Sequence, residues 1–179
     1  HKIDSFNENG KIPDASENGI VGHPDDKHST DANLEFVEDE TRGTVLEFQG
    51  QDTDADDGAY NVHHEDVPDS LERGAPITTS VWAKPEDLEG WQTIFSGALG
   101  CVIDIRNGNL RARFWDGGNV FNVNIDASTY LTAGEWNHIV TSVAPGEEAQ
   151  LFVNGELVGT ESVDENQGYR SVYKAQGVG

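Results

Sequence analysis

The sequence predicts an all-β chain, an antiparallel sandwich or barrel. Three observations carry that expectation. Short runs rich in β-branched and aromatic residues recur at close spacing, two Asn-Gly pairs stand between such runs, and no stretch has the apolar period of an amphipathic helix. The 179 residues suffice for one sizeable core. No repeat or linker divides them, so a single domain over residues 1–179 is expected.

The elements follow in order. Residues 1–33 are polar and turn-rich, with loop signals at 14–19 and 23–26. Residues 34–37 and 44–48 read as strands joined by a polar turn. An acidic loop at 51–58 precedes a short strand at 60–63, and 71–76 reads as a connector. Residues 77–83 form a strand ended by Lys84-Pro85, and 91–95 form another. Residues 102–105 and 110–114 flank Asn107-Gly108, a tight hairpin signal because both residues tolerate positive φ. After Asp116-Gly117-Gly118, Phe121, Val123 and Ile125 alternate with Asn122 and Asn124, the mark of a half-buried strand. Residues 136–143 and 150–153 pair around Pro145-Gly146, and Asn154-Gly155 turns the chain into 156–158.

Charge narrows the function. Asp and Glu number 33 against 11 Lys and Arg, a net charge of −22. Binding nucleic acid requires a basic face that displaces counterions from phosphate, so this balance disfavours it. It also opposes an anionic membrane surface. The acids are spread along the chain, as in a solvated coat whose self-repulsion is screened at high salt. That favours a halophile over an ordinary acidic secreted protein. Cys101 is the single cysteine, so no internal disulfide forms, and its strand-like surroundings make it a buried small apolar residue. No apolar stretch approaches the roughly 20 residues of a membrane span. With neither an initiator Met nor a signal peptide, the sequence reads as a mature or trimmed product.

A resemblance sharpens the fold. Gly134-Glu135-Trp136-Asn137-His138-Ile139-Val140, followed by Leu151-Phe152-Val153-Asn154-Gly155-Glu156-Leu157-Val158, resembles the laminin-G-like (concanavalin-A-like lectin/glucanase) superfamily. In that family a W-x-H-V/I strand precedes an L-Y/F-V-N/D-G hairpin. Ser80-Val81-Trp82-Ala83-Lys84-Pro85 looks like its tryptophan strand. Asp14-Ala15-Ser16-Glu17-Asn18-Gly19-Ile20-Val21-Gly22 looks like its N-terminal D-x-S-G-N-G-x-x-G segment, and Val45-Leu46-Glu47-Phe48-Gln49-Gly50 like its L-x-F-x-G strand. The resemblance implies an all-β jelly-roll sandwich with Trp82 and Trp136 in the core. It also implies a closing strand beside the N-terminal strands. The given sequence stops at Ser171-Val172-Tyr173-Lys174-Ala175-Gln176-Gly177-Val178-Gly179, so that C-terminal strand is expected to be absent or supplied by another chain.

The family's glucanases carry acids as E-x-D-x-(x)-E on one strand face, about 5 Å apart for retention. No such run occurs here. Glu38-Asp39-Glu40 is contiguous at a turn, and Asp104 stands alone on its strand. His63, His64 and His138 make no zinc spacing, and His138 reads as a satisfied strand residue. Calcium is the possible cofactor. Asp52, Asp54, Asp56 and Asp57 crowd one loop, as hard-cation sites need, with Asp14 and Asn18 as second candidates. The loop departs from D-x-D-x-D-G, since its glycine falls one position late and His63 stands where the bidentate Glu should be. A plain solvated loop is the other reading.

For a ligand face, Trp115 at the edge of a turn and Trp91 at a strand start are the aromatic candidates. Arg111 and Arg113 share one strand face and, with Arg106, make a rare basic spot that either pairs with local acids or binds an anion. The first functional reading is a non-catalytic recognition or adhesion module at an extracellular, cell or virion surface, with a glycan or cell-surface polymer as partner. The second is a structural decoration, fibre or filament subunit completed by a strand from a neighbouring copy. The third is a glucanase-like enzyme.

Overall fold

The computed structural model describes residues 34–48, 60–63, 76–96, 101–115, 120–144, 146–163 and 175–178. Its elements are β1 (Leu34–Asp39), β2 (Gly43–Phe48), β3 (Tyr60–His63), β4 (Ile77–Ala83), β5 (Trp91–Ser96), β6 (Cys101–Arg106), β7 (Asn109–Trp115), β8 (Val120–Asp126), α1 (Ala127–Tyr130), β9 (Asn137–Val143), β10 (Glu148–Val153), β11 (Glu156–Ser162) and β12 (Ala175–Val178). They fall in two compact units, His1–Val67 with Lys174–Gly179, and Pro68–Tyr173.

In the first unit β1 and β2 form an antiparallel hairpin, Leu34 opposite Phe48 and Asp39 opposite Gly43. Asp39 closes the turn, its Oδ1 accepting from the backbone N–H groups of Thr41 (2.9 Å) and Arg42 (3.0 Å). The contiguous acids there serve local turn chemistry, since Glu38 Oε1 also accepts from Thr44 Oγ1 at 2.6 Å. β12 pairs antiparallel with β3, Ala175 opposite His63 and Val178 opposite Tyr60. This corrects the expectation of an absent C-terminal strand. Residues 175–178 lack the apolar alternation that marks a strand in sequence, and backbone pairing to β3 makes one anyway.

The second unit is an antiparallel sandwich. One sheet has the order β11-β10-β9-β4, and in the other β5, β6, β7 and β8 lie side by side. Strict alternation assigns the faces: in β9, Asn137, Ile139, Thr141 and Val143 are buried and the residues between them are not. Ile103, Ile105, Leu110, Ala112 and Phe114 from one sheet meet Ile139, Val143, Ala149, Leu151 and Val153 from the other in a single core. Cys101 Sγ lies 3.7 Å from Thr141 Oγ1 across that interface. Burial pushes its thiol up to about 11, so it stays protonated and unreactive at neutral pH.

Both Asn-Gly hairpins form as their chemistry requires. Asn107 and Gly108 have φ of 49° and 79°, Asn154 and Gly155 of 50° and 85°, the paired positive values of a type I′ turn. α1 is a single turn capped by Asp126, whose Oδ1 accepts from Ser128 N (2.9 Å) and Oγ (2.7 Å).

Trp82 corrects a second expectation. It is 44% exposed and lies on the outer face of its sheet. Val81 and Thr79 on β4 turn inward, so period two sends Trp82 outward. Its ring stacks on His138, centroids 4.5 Å apart and planes at 15°. Trp136 precedes β9 and is only partly buried.

Candidate functional site

The same alternation builds a polar outer face on β5–β8. On β6, Ile103 and Ile105 face the core, so Asp104 and Arg106 face away. On β7, Leu110, Ala112 and Phe114 take the core and leave Arg111 and Arg113 on the outer side. Register then gathers them. Asp104 lies opposite Arg111, and Val102 opposite Arg113. Arg111 faces Asn124 on β8, and Arg113 faces Asn122. On β5, Thr93 is opposite Asp104 and Trp91 opposite Arg106.

Arg111 grips the Asp104 carboxylate with two bonds, Nε to Oδ1 at 2.7 Å and Nη2 to Oδ2 at 2.8 Å. Arg113 Nη2 adds a third to Oδ2 at 2.6 Å. Asp104 is fully buried, while the arginine side chains remain 15% and 30% exposed. A buried carboxylate is costly to desolvate, and two guanidinium groups offset that cost where one surface pair would not. The two-pronged Arg111 contact sets the orientation of the carboxylate.

Trp91 sits beside it, 63% exposed. The Arg106 guanidinium carbon lies 4.7 Å from its ring centroid, a cation–π contact that fixes the indole. The turn before Trp91 is pinned from within. Gln92 Nε2 donates to Asp87 Oδ1 (2.8 Å), Asp87 O (3.2 Å) and Glu89 O (3.0 Å). Gly90 takes a positive φ of 67° and accepts from Asn107 N at 2.7 Å. Together these groups supply one exposed aromatic side chain with a guanidinium against it, and further guanidinium and carboxamide groups across the same sheet.

Of the residues the sequence singled out, the structure brings Trp91, Arg111 and Arg113 onto this sheet. Trp115 ends β7, and its side chain lies outside the described residues. So do Asp14, Asn18, Asp52, Asp54, Asp56 and Asp57, the calcium candidates. Among the described residues no three His, Cys, Asp or Glu form a metal cluster. Asp104, read as a lone acid, is the centre of the arginine cluster. The signal was available: Asp104 and Arg111 are equidistant from the Asn107-Gly108 turn, so a two-residue loop places them opposite each other. Arg106 over Trp91 follows less readily, because β5 reaches β6 through residues 97–100 and its register shifts between Thr93 and Phe95.

On the other sheet the motif residues hold structure. His138 Nε2 and Ser80 Oγ are 2.8 Å apart, and His138 N donates to Asn154 Oδ1 at 2.9 Å. Buried Asn137 clamps the preceding loop, donating to Thr132 O (3.0 Å) and Glu135 O (2.8 Å) and accepting from Thr132 N (3.1 Å).

A family model described as "Concanavalin A-like lectin/glucanases superfamily" matches residues 55–173. Among solved structures, the receptor binding domain of botulinum neurotoxin D superposes with a TM-score of 0.68 at 17% identity, over 97% of this chain and 43% of that one. The binding domain of botulinum neurotoxin DC in complex with SialylT gives 0.68 and 17%, over 97% and 42%. A botulinum neurotoxin type C structure, described through cell entry dependent upon interaction with two ganglioside molecules, gives 0.67 and 16%, over 97% and 41%. The chain thus spans less than half the length of these solved chains. At such identity the likeness is one of fold. A search of curated proteins finds no match.

Proposed function

This chain belongs to the concanavalin A-like lectin/glucanases superfamily, and from that premise we propose that it is a non-catalytic recognition module that binds a glycan on the outer face of β5–β8. The observation that carries this reading is Trp91, an indole largely open to solvent yet held in place by Arg106. An exposed indole offers a flat π face, and the C–H faces of a sugar ring suit it. Arg113, Asn122 and Asn124 offer donors and acceptors for hydroxyl groups along the same face. Trp115, at the end of the arginine strand, stays in the proposal on its sequence position alone.

The neighbours' described binding of receptors and glycans supports the reading by analogy of fold. Asp104 itself, a fully buried carboxylate tied to two guanidinium groups, is unavailable as an acid or nucleophile. A surface location, extracellular or on a cell or virion, fits such a module. Calcium at Asp52, Asp54, Asp56 and Asp57 belongs to the same proposal and rests on the sequence of that loop alone. The structural-subunit reading loses its motive, since β12 of this chain itself pairs with β3.

The test is a glycan array followed by calorimetry on a bound sugar. Trp91→Ala should weaken binding about tenfold or more, the effect of losing roughly 1.4 kcal/mol from a central aromatic contact. Its melting should barely move, because a cation–π contact at an exposed site is worth only about 0.5–1 kcal/mol. An array without a single bound glycan, or a Trp91→Ala variant that binds like the parent, would sink the proposal.

A further inference from the structure

The outer face of β5–β8 is a cationic island on a strongly anionic chain. Arg106, Arg111 and Arg113 gather there although Lys and Arg total only 11 and the net charge is −22. One acid, Asp104, is bonded to two of these arginines. Among the described residues, its single charge balances one of the two guanidinium groups, and Arg106 beside them is engaged with a neutral indole. The strand beyond the arginines could have carried acids, as most of this chain does. It presents Asn122 and Asn124 at the positions facing Arg113 and Arg111, and β5 presents Thr93 facing Asp104. Asp126, farther along β8, is occupied in capping α1.

Distance decides which charge a ligand feels. The screening length is about 8 Å at physiological salt, so the guanidinium groups in contact outweigh remote acids of the coat. The two arginines are not equivalent. Arg111 spends its fork on Asp104, so Asp104 and Arg111 act as positioning residues. Arg113 makes one bond from Nη2 and is the more exposed of the pair, which leaves it as the contact. Its strand partner Val102 lies four residues along β6 from Arg106, the partner of Trp91, and β7 lies two strands from β5. Standard strand spacings then put Trp91 and Arg113 about 16 Å apart, more than one sugar ring can bridge.

Resting on the glycan reading above, we infer that the ligand is an acidic oligosaccharide, with one ring stacked on Trp91 and a carboxylate of another, a uronate or sialate, paired with Arg113. A planar carboxylate matches guanidinium geometry. Its one charge per ring also suits an anionic protein better than a densely sulfated chain does, whose many charges the surrounding coat repels.

The experiment uses the intact chain and calorimetry at constant ionic strength. The probes are an oligogalacturonate against its methyl ester, sialyllactose against lactose, and a sulfated oligosaccharide. The charged member of at least one carboxylate pair should bind about tenfold more tightly than its neutral partner, the scale of a charge-assisted hydrogen-bonded pair. Arg113→Gln should bring that ratio towards one, and Arg113→Lys should restore part of it. Asp104 keeps both bonds from Arg111 in either variant, and a melting curve verifies that each is folded. Equal binding within both pairs overturns the acidic-ligand inference and leaves the glycan reading standing. Binding of the sulfated probe alone overturns the carboxylate. Binding of none of the probes overturns the inference, and the glycan array then decides the broader reading.

Discussion

At the scale of single residues, environment separates side chains that composition treats alike. Trp82 and Phe114 are both large aromatics on predicted strands, yet Phe114 is fully enclosed and Trp82 is 44% exposed against the His138 ring. Phe114→Ala removes packing on every side and should cost about 3–5 kcal/mol. Trp82→Ala removes one stacked face and should cost about 0.5–1.5 kcal/mol. Urea unfolding with unchanged slope measures both. Equal losses would mean that Trp82 contributes to the core after all. Asp104 shows the same dependence on surroundings, since its neighbours on β7 turn a solitary acid into the hub of a buried ion cluster.

At the scale of elements, hairpin chemistry was legible and irregular register was not. The Asn-Gly pairs state their own turn type, because both residues tolerate positive φ, and period two then sorts each flanking strand into faces. The bulge on β11 escapes that logic. Leu151 pairs with Gly159 but Phe152 pairs with Leu157, so Val158 is the extra residue. Simple alternation would put Leu157 and Gly159 on one face. The bulge turns Leu157 outward, 47% exposed, and Gly159 inward against β8. A Cβ on Gly159 would lie 2.5 Å from Val123 Cγ1, inside the core between the sheets. Gly159→Ala should therefore cost about 1–3 kcal/mol through overpacking in a chemical unfolding measurement. A variant as stable as the parent would show that β8 and β11 are not in close contact.

At the scale of the whole molecule, charge dominates. A net charge of −22 makes self-repulsion a global term that no single pair compensates. The screening length falls from about 10 Å at 0.1 M salt to about 3 Å at 1 M. Melting temperature should rise steeply with sodium chloride over that range, and a flat profile would remove the halophile reading. At fixed ionic strength, calcium should add a further increment and magnesium less. A folded-state site filled at 100 times its Kd contributes about 2.7 kcal/mol. Identical curves with calcium, magnesium and EDTA would reduce residues 52–57 to one more part of the acidic coat.

The sequence by itself determined most strands in their succession along the chain, the two tight hairpins, the buried cysteine and the family resemblance. These follow from local rules: the two-residue period of a strand, the positive φ that Asn and Gly accept, and short motifs on neighbouring strands. Tertiary structure alone decided that Trp82 is outside. It also decided that Arg106 covers Trp91, that Gly159 points inward after a bulge, and that residues 175–178 pair with β3. The physical reason is common to all four. A strand's inward face, its register and its partners are fixed by backbone bonds and packing with segments distant in sequence, and a shift of one residue reverses every side chain.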